Sequence, residues 1–133
     1  MIDLATLTGA ILIALGVDRA GIFSNNDDLA AKVSQAGDSV DEPVWRMPIG
    51  KDYKKLLKSD IADLRNIGTK ARIGGSSVAA EFLHSFVENE TPWVHIDIAG
   101  TAWHSEALPT KPKGATGFGV RLLDRMIKED FES

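Results

Sequence analysis

The sequence predicts an α/β fold, in which alternating strands and helices form part of a largely parallel or mixed sheet covered by helices. Short apolar runs alternate with segments of helical periodicity along the 133 residues, and glycines or small polar residues separate them. A content of 44% hydrophobic and 26% charged residues is typical of a globular protein. We expect a single domain over residues 1–133, because a chain of this length builds one core.

The first half of the chain alternates strands with helices. The predicted strands are "MIDLAT", "AGIFSN" and "VWRMPIG", and the predicted helices are "GAILIALG", "NNDDLAAKVSQAGDSV" and the short amphipathic "KDYKKLLKS". Gly16 ends the first helix, and Asn26 or Asp27 caps the second because their side chains accept N–H groups of a first helical turn. Pro48 places the third strand at a sheet edge or a strand end.

The second half contains the clearest strand, "WVHIDIAG", in which Val94, Ile96 and Ile98 alternate on one face. The other predicted elements are an extended "IADLRNIG", a helix "SSVAAEFLHSFV" capped by Ser76 and Ser77, and a terminal helix "GFGVRLLDRMIKEDF" with Val120, Leu123 and Ile127 among its apolar positions.

The N-terminus fits an isolated fold poorly. Met1 is followed at once by an apolar strand, and a parallel strand usually needs a neighbour on each side and helices over both faces. Such a strand would leave an edge open to pairing with another chain. We therefore expect this chain to be the C-terminal portion of a longer protein, incomplete at its N-terminus.

Composition excludes several functions. A formal net charge of −4 argues against nucleic acid as a partner, since nucleic-acid binding usually needs a basic face. There is no cysteine, which excludes disulfides, thiolate metal sites and cysteine nucleophiles. The apolar run at residues 10–15 is far shorter than the about 20 residues that span a bilayer, and no basic segment precedes it. We expect a cytoplasmic protein with no membrane contact.

Two groups of side chains could bind metal, and each has a plainer interpretation. Glu81, His84 and Glu88 can share one helix face, as in carboxylate-bridged dimetal bundles, but an exposed polar face is favoured because no second copy of the pattern is present. His95 and Asp97 point to the same side of a strand and could be ligands or an acid–base pair. A satisfied polar pair at the end of the strand is the favoured interpretation.

Other local patterns carry little information. "GATGFG" and "GTKARIGGSS" lack the glycine order of nucleotide-binding loops, so tight turns are favoured. Four lysines lie on one short segment, where a solvated face is favoured over an anion or partner contact: Lys51, Lys54, Lys55 and Lys58.

The stretch "LATLTGAILIALG" places Thr6, Thr8 and Gly9 between two buried elements. This is either a plain strand-to-helix corner or the floor of a substrate cleft. Longer stretches of the sequence favour the cleft. The stretches "MIDLATLTGAILIALG", "AGIFSNND", "VWRMPIG", "SDIADLRNIG" and "WVHIDIAGTAW...KGATGFGVRLL" occur in an order and spacing that resembles the C-terminal part of the catalytic domain of the leucyl (cytosol) aminopeptidase family.

The resemblance implies a zinc-exopeptidase-like fold and a two-metal exopeptidase, usually with zinc, manganese or magnesium, that removes N-terminal residues from peptides. It also implies a cytoplasmic homohexamer. The family motif N-T-D-A-E-G-R and the metal-binding motifs before it are absent from this sequence. We therefore assign no catalytic residue and no metal ligand, and expect two Mn or Zn ions only in a full-length enzyme, with this chain inactive alone.

The resemblance also implies five substrate-binding residues. Thr6, Leu7 and Gly9 match positions that line the cleft, where the main chain of Leu7 and Gly9 bonds the peptide and Thr6 shapes the pocket for its first side chain. Ala99 and Ala102 match the opposite wall of that pocket. The alternative function is that of a non-catalytic scaffold, assembly or DNA-associated accessory protein of the same family.

Overall fold

The computed structural model describes residues 1–70, 73–107 and 112–132. The strands in these ranges are β1 (Ile2–Ala5), β2 (Ala20–Ser24), β3 (Val44–Arg46), β4 (Val94–Asp97), β5 (Trp103–His104) and β6 (Gly114–Ala115). The helices are α1 (Gly9–Leu15), α2 (Asp27–Ser39), α3 (Lys51–Lys54), α4 (Gly75–His84) and α5 (Val120–Asp130), with a 3-10 turn at Lys55–Leu57. None of these helices is both long and apolar enough to cross a bilayer.

The main sheet has four strands in the order β1-β4-β2-β3. β1 runs parallel to β4 and β2 runs parallel to β3, whereas β2 and β4 are antiparallel. The predicted α/β fold with a mixed sheet is therefore confirmed. β5 and β6 form a separate antiparallel pair.

One face of the sheet packs against α2 and α5. Alternate residues of each strand point to this face, so Ile22 and Ile96, which are partners across β2 and β4, are both fully buried in it. The buried residues of this cluster are Ala20, Ile22, Ala30, Val33, Ala36, Val44, Val94, Ile96, Leu122 and Met126. Burial of this apolar surface is the main favourable contribution to folding.

The opposite face of the sheet carries a smaller apolar cluster and the polar side chains of β4. Ile11 of α1, Phe23 of β2, Ala80 of α4 and Trp93 are buried together. His95 stacks against Phe23 with a ring-centroid distance of 5.9 Å, and alternation along β4 places Asp97 on the same face. β4 therefore has an apolar face toward α2 and α5 and a polar face toward α1 and α4.

The apolar positions named for the terminal helix are not all on the buried face of α5. Val120 and Ile127 are 68% and 49% exposed, and the helix instead buries Leu122 and Met126. The Glu42 carboxylate accepts the N–H groups of Gly119 and Leu122, both at 3.0 Å, and so sets how the helix begins. This contact from a distant loop has no signature in the sequence of the helix itself.

Two further predictions were wrong. The segment "IADLRNIG" contains no strand, because its backbone bonds back to the preceding turn, with Arg65 N–H donating to Leu57 and Thr69 N–H to Leu56. Ser76 and Ser77 do not cap α4: both are buried inside it, and the cap position is Gly74 with φ 58°, a left-handed conformation that glycine adopts freely.

A buried histidine connects β1 to β4. Asp3 lies opposite His95 in the parallel pair, and its Oδ1 is 2.6 Å from His95 Nδ1, while its Oδ2 accepts the Trp93 indole N–H at 2.6 Å. Partial burial raises the pKa of the Asp3 carboxyl, but the hydrogen bond and charge of His95 together with the Trp93 bond outweigh burial, so this pKa lies below its usual value.

We expect replacement of Gly100 to destabilise the fold. A Cβ at this position would overlap the carbonyl oxygen of Gly16 at the end of α1. Gly100→Ala should therefore lower the free energy of unfolding by about 1–3 kcal/mol, measured by urea denaturation. Gly9→Ala is the matched control, because a Cβ there meets nothing within 4 Å and alanine favours a helix. A Gly100→Ala chain as stable as the parent would contradict this packing.

The Asp3 contact predicts a stability that depends on pH. Because the pKa of Asp3 is lowered in the folded state, its ionised form stabilises the fold above about pH 4, and this contribution is lost as the pH falls through the folded-state pKa. Asp3→Asn should therefore cost stability at pH 6 and much less at pH 2.5, measured by urea denaturation. Asp63→Asn, at an exposed position, is the control. An Asp3→Asn penalty that is equal at both pH values would exclude this contribution.

Candidate functional site

The turn between β1 and α1 is an exposed strand-to-helix corner. Thr8 is the N-cap of α1: its backbone is extended, with φ −136° and ψ 140°, and its hydroxyl accepts the Ile11 N–H at 3.2 Å. Thr6 and Gly9 are exposed, and Leu7 is 36% exposed. The corner thus leaves its main chain accessible to a ligand, although both elements that it joins contribute to the core.

A second turn follows β4 and lies beside the first. Because β1 and β4 are parallel, their carboxyl ends meet at one edge of the sheet, where Ile98 N–H donates to the Ala5 carbonyl at 2.9 Å. The turn is closed by the N–H groups of Thr101 and Ala102, which donate to the Ile98 carbonyl at 3.0 and 2.9 Å. We call residues 6–9 the first turn and residues 98–102 the second turn.

The Asp97 carboxylate joins the two turns. Its Oδ1 accepts N–H groups of Leu7 at 3.1 Å, Thr8 at 3.5 Å and Ala99 at 3.2 Å, and its Oδ2 accepts the Thr8 hydroxyl at 2.7 Å. Asp97 is fully buried. All four partners are donors, so both carboxylate oxygens have hydrogen-bond partners. A buried acceptor that lost these partners would incur a large desolvation penalty, which makes the arrangement rigid.

The structure brings the five residues implied by the resemblance to these two adjacent turns. Thr6, Leu7 and Gly9 lie in the first turn, and Ala99 and Ala102 lie half-buried in the second. Leu7 N–H is already bonded to Asp97, so its carbonyl oxygen is the main-chain group of this residue that stays available to a ligand. Within the described residues no donor bonds that oxygen. A Cβ at Gly9 would meet nothing within 4 Å, which leaves room for close approach to its main chain.

An apolar cavity of about 370 Å³ opens beside Leu7. It is lined mainly by α4 and the loop before it, including Leu7, Ile67, Ile73, Val78, Ala79 and Phe82. The sequence-based interpretation missed this cavity because it treated residues 61–68 as extended. The available signal in the sequence was the pair of isoleucines at 67 and 73 in a glycine-rich loop. In the structure both side chains are largely exposed, Ile67 by 76% and Ile73 by 59%.

The two candidate metal clusters have other roles. His95 and Asp97 share a sheet face, but His95 bonds Asp3 and Asp97 bonds the turns, so they are not a pair. Glu81 is buried and accepts the Gly50 N–H at 2.5 Å, so the exposed-face interpretation of the Glu81, His84 and Glu88 group was wrong. The reason is that this part of α4 packs against the loop before α3, and Glu88 lies beyond the end of the helix.

The described residues do not by themselves fit a dinuclear metal centre. In residues 1–70, 73–107 and 112–132, no three His, Cys, Asp or Glu side chains come close enough to hold one ion.

The four lysines of the segment at residues 51–58 are exposed, and one of them, Lys55, forms an ion pair with Asp52 at 2.8 Å.

Comparisons with known sequences give one family. The sequence model of the cytosol aminopeptidase family, catalytic domain, matches residues 1–124. A probable cytosol aminopeptidase of Dinoroseobacter shibae is 55% identical over 132 residues, which are 99% of this chain and 27% of that protein. A probable cytosol aminopeptidase of Gluconobacter oxydans is 57% identical over 128 residues, covering 96% of this chain and 26% of that protein.

A solved structure agrees with the sequence comparisons. A mutant of tomato leucine aminopeptidase superposes with a TM-score of 0.85 at 44% identity, covering 95% of this chain and 24% of that one. The chain thus spans about a quarter of the length of the relatives that it matches. The match to the family's catalytic domain along most of the chain, together with the shared fold, means that the chain belongs to the cytosol aminopeptidase family.

Proposed function

We propose that this chain supplies the substrate-holding turns and part of the scaffold of a metal-dependent leucyl aminopeptidase, which removes N-terminal residues from peptides. The observation that carries the proposal is the contact of Asp97 with both turns, which holds an exposed main-chain segment beside a wall of small residues. The names of the relatives, probable cytosol aminopeptidase and leucine aminopeptidase, support it.

The first turn suits a peptide because it offers main-chain groups. We assign the Leu7 carbonyl as an acceptor for a peptide N–H and the Gly9 N–H, at the start of α1, as a donor to a peptide carbonyl. Main-chain bonds of this kind hold a peptide whatever its sequence. An enzyme that accepts many peptides needs this property.

Small residues around the two turns leave room for one side chain. Thr6, Ala99 and Ala102 lack bulk, and burial of a leucine side chain in an apolar pocket contributes about 1.5–3 kcal/mol. We assign this space to the first residue of the peptide. The 370 Å³ cavity lies beyond Leu7 and is lined by different residues, so we assign it to the side chain of the following residue.

We infer that the metal ions are bound by residues outside this chain. The described residues hold no ligand set for two divalent ions, so the proposal locates the Mn or Zn ligands, and the chemistry that they support, elsewhere in a longer enzyme. The chain is then inactive by itself. Assembly into a hexamer and a cytoplasmic location belong to the same proposal, and the relatives' description as cytosol aminopeptidases supports the location.

The proposal predicts that activity requires residues beyond these 133. We expect the chain alone to leave leucine-p-nitroanilide intact in the presence of Mn²⁺ or Zn²⁺, and the longest reading frame from the same source that contains it to hydrolyse this substrate. Release of nitroaniline is the measurement, with a chelator as control. Hydrolysis by the 133-residue chain alone would contradict the placement of the metals. Inactivity of both proteins would support the non-catalytic scaffold.

The cavity beside Leu7 predicts selectivity for the second residue of the peptide. Ala79 lines the cavity from α4, and Ala79→Phe should fill it. In the active longer enzyme we expect hydrolysis of Leu-Leu to fall at least about tenfold relative to Leu-Gly, because the second leucine can no longer be buried. Dipeptide hydrolysis followed by chromatography measures the ratio. Ala31→Phe, on the exposed face of α2, is the control, and an unchanged ratio in Ala79→Phe would exclude this assignment.

A further inference from the structure

We propose that Asp97 is a positioning residue for substrate binding, which acts by orienting the main chain of the first turn relative to the second. The inference rests on the proposed function and adds a residue that touches neither substrate nor metal in it. Its basis is that one buried carboxylate accepts donors from both turns, including the N–H groups of Leu7 and Thr8.

The position of Asp97 makes it a rigid anchor. It is the last residue of β4, which lies between β1 and β2, and its partners in register are Ala5 and Gly21. Sheet hydrogen bonds on both sides hold its main chain, and full burial limits its side chain to one arrangement. The first turn is largely exposed and the second is half-buried to buried, and the bonds to Asp97 link the one to the other.

The bonds to Asp97 determine which groups of the first turn face outward. In a planar trans peptide the N–H and C=O point in opposite directions. The Thr8 N–H points inward to Asp97, so the Leu7 carbonyl of the same peptide unit points away from the buried carboxylate. This carbonyl is the acceptor that we assign to the peptide.

The same carboxylate also fixes the start of α1. The Thr8 hydroxyl donates to Asp97 Oδ2 at 2.7 Å and accepts the Ile11 N–H at 3.2 Å. The first helical turn is therefore held at a set angle, and with it the Gly9 N–H, which has no partner within that turn. The two groups that we assign to the peptide, the Leu7 carbonyl and the Gly9 N–H, are thus positioned by Asp97, although neither is bonded to it.

A purely structural role is the competing explanation, and Glu42 provides the control for it. Glu42 is also a buried carboxylate, and it accepts main-chain N–H groups of Gly119 and Leu122 at the start of α5. It also accepts the Arg121 guanidinium N–H at 3.1 Å, and none of these hydrogen bonds involves a residue of either turn. Loss of stability alone should therefore affect Glu42→Gln and Asp97→Asn in the same way.

The kinetic test uses the metal-loaded longer enzyme. Asp97→Asn keeps the size of the side chain but removes its charge and places an N–H group opposite the Thr8 hydroxyl. We expect KM for leucine-p-nitroanilide to rise about tenfold with a smaller change in kcat, because loss of the carboxylate charge weakens the hydrogen bonds that orient the main chain of the first turn. Glu42→Gln should keep KM within about twofold, even if its thermal stability falls as far as that of Asp97→Asn. Thr8→Val, which replaces the hydroxyl by a methyl group of similar size, should raise KM in the same direction as Asp97→Asn.

A structural test runs in parallel on the 133-residue chain. Amide hydrogen exchange followed by NMR should show faster exchange at Leu7, Thr8 and Ala99 in Asp97→Asn and in Thr8→Val, and no change there in Glu42→Gln. If these three amides exchanged equally fast in the parent, in Asp97→Asn and in Thr8→Val, the hydrogen bonds from the turns to Asp97 would be excluded.

The outcomes separate the two proposals. An active parent enzyme whose KM is unchanged in Asp97→Asn and Thr8→Val overturns the positioning role and leaves the proposed function intact. If Asp97→Asn does not fold, Thr8→Val decides the question alone. An inactive parent overturns the proposed function and, with it, this inference.

Discussion

The hydrogen bonds accepted by Asp97 are the interaction on which the candidate site depends. A carboxylate removed from water is tolerated only when donors replace its hydration, and here these donors come from two separate turns. The parallel pairing of β1 and β4 places residues 6–9 and 98–102 side by side, and the requirement to satisfy one buried group joins them. Two turns that are more than 80 residues apart in sequence become one surface because each supplies part of the same hydrogen-bonding set.

β4 combines this polar contact with the apolar core. Its period of two directs Val94 and Ile96 to the cluster under α2 and α5, and His95 and Asp97 to the opposite face. On the polar face, His95 Nδ1 and the Trp93 indole contact Asp3 on β1, and Asp97 contacts the turns, whereas His95 Nε2 is buried without a hydrogen-bond partner among the described residues. The strand is thus held by hydrophobic burial on one side and by hydrogen bonds on the other. This division explains how a fully buried strand can carry two ionisable side chains beside the two turns.

Much of the fold and part of the site could be predicted from the sequence. A small polar side chain directly before an apolar helical pattern is typical of an N-cap. Asn26 does cap α2, since its side chain accepts the Leu29 N–H at 2.8 Å. The small residues of the first turn and the family motif also predicted a cleft at a strand-to-helix corner; the structure contains the corner, with Thr8 as its cap, and the cleft stays a prediction. The role of Asp97 was missed, since hydrogen bonds to a distant turn leave no local pattern. Burial of Glu81 was missed for the same reason, because its partner, the Gly50 N–H, lies in another loop.

By itself, the sequence determined the alternation of strands and helices, the apolar face of β4 and the membership of a peptidase family. These follow from local periodicity and from long matching stretches, which do not depend on how the chain folds back. Only the tertiary structure decided the strand order β1-β4-β2-β3, the phase of α5 and the partners of the buried carboxylates. Each of these depends on hydrogen-bond donors and acceptors that are distant in sequence. Buried polar groups need partners, and the folded geometry decides which groups come within reach, which composition and spacing do not encode.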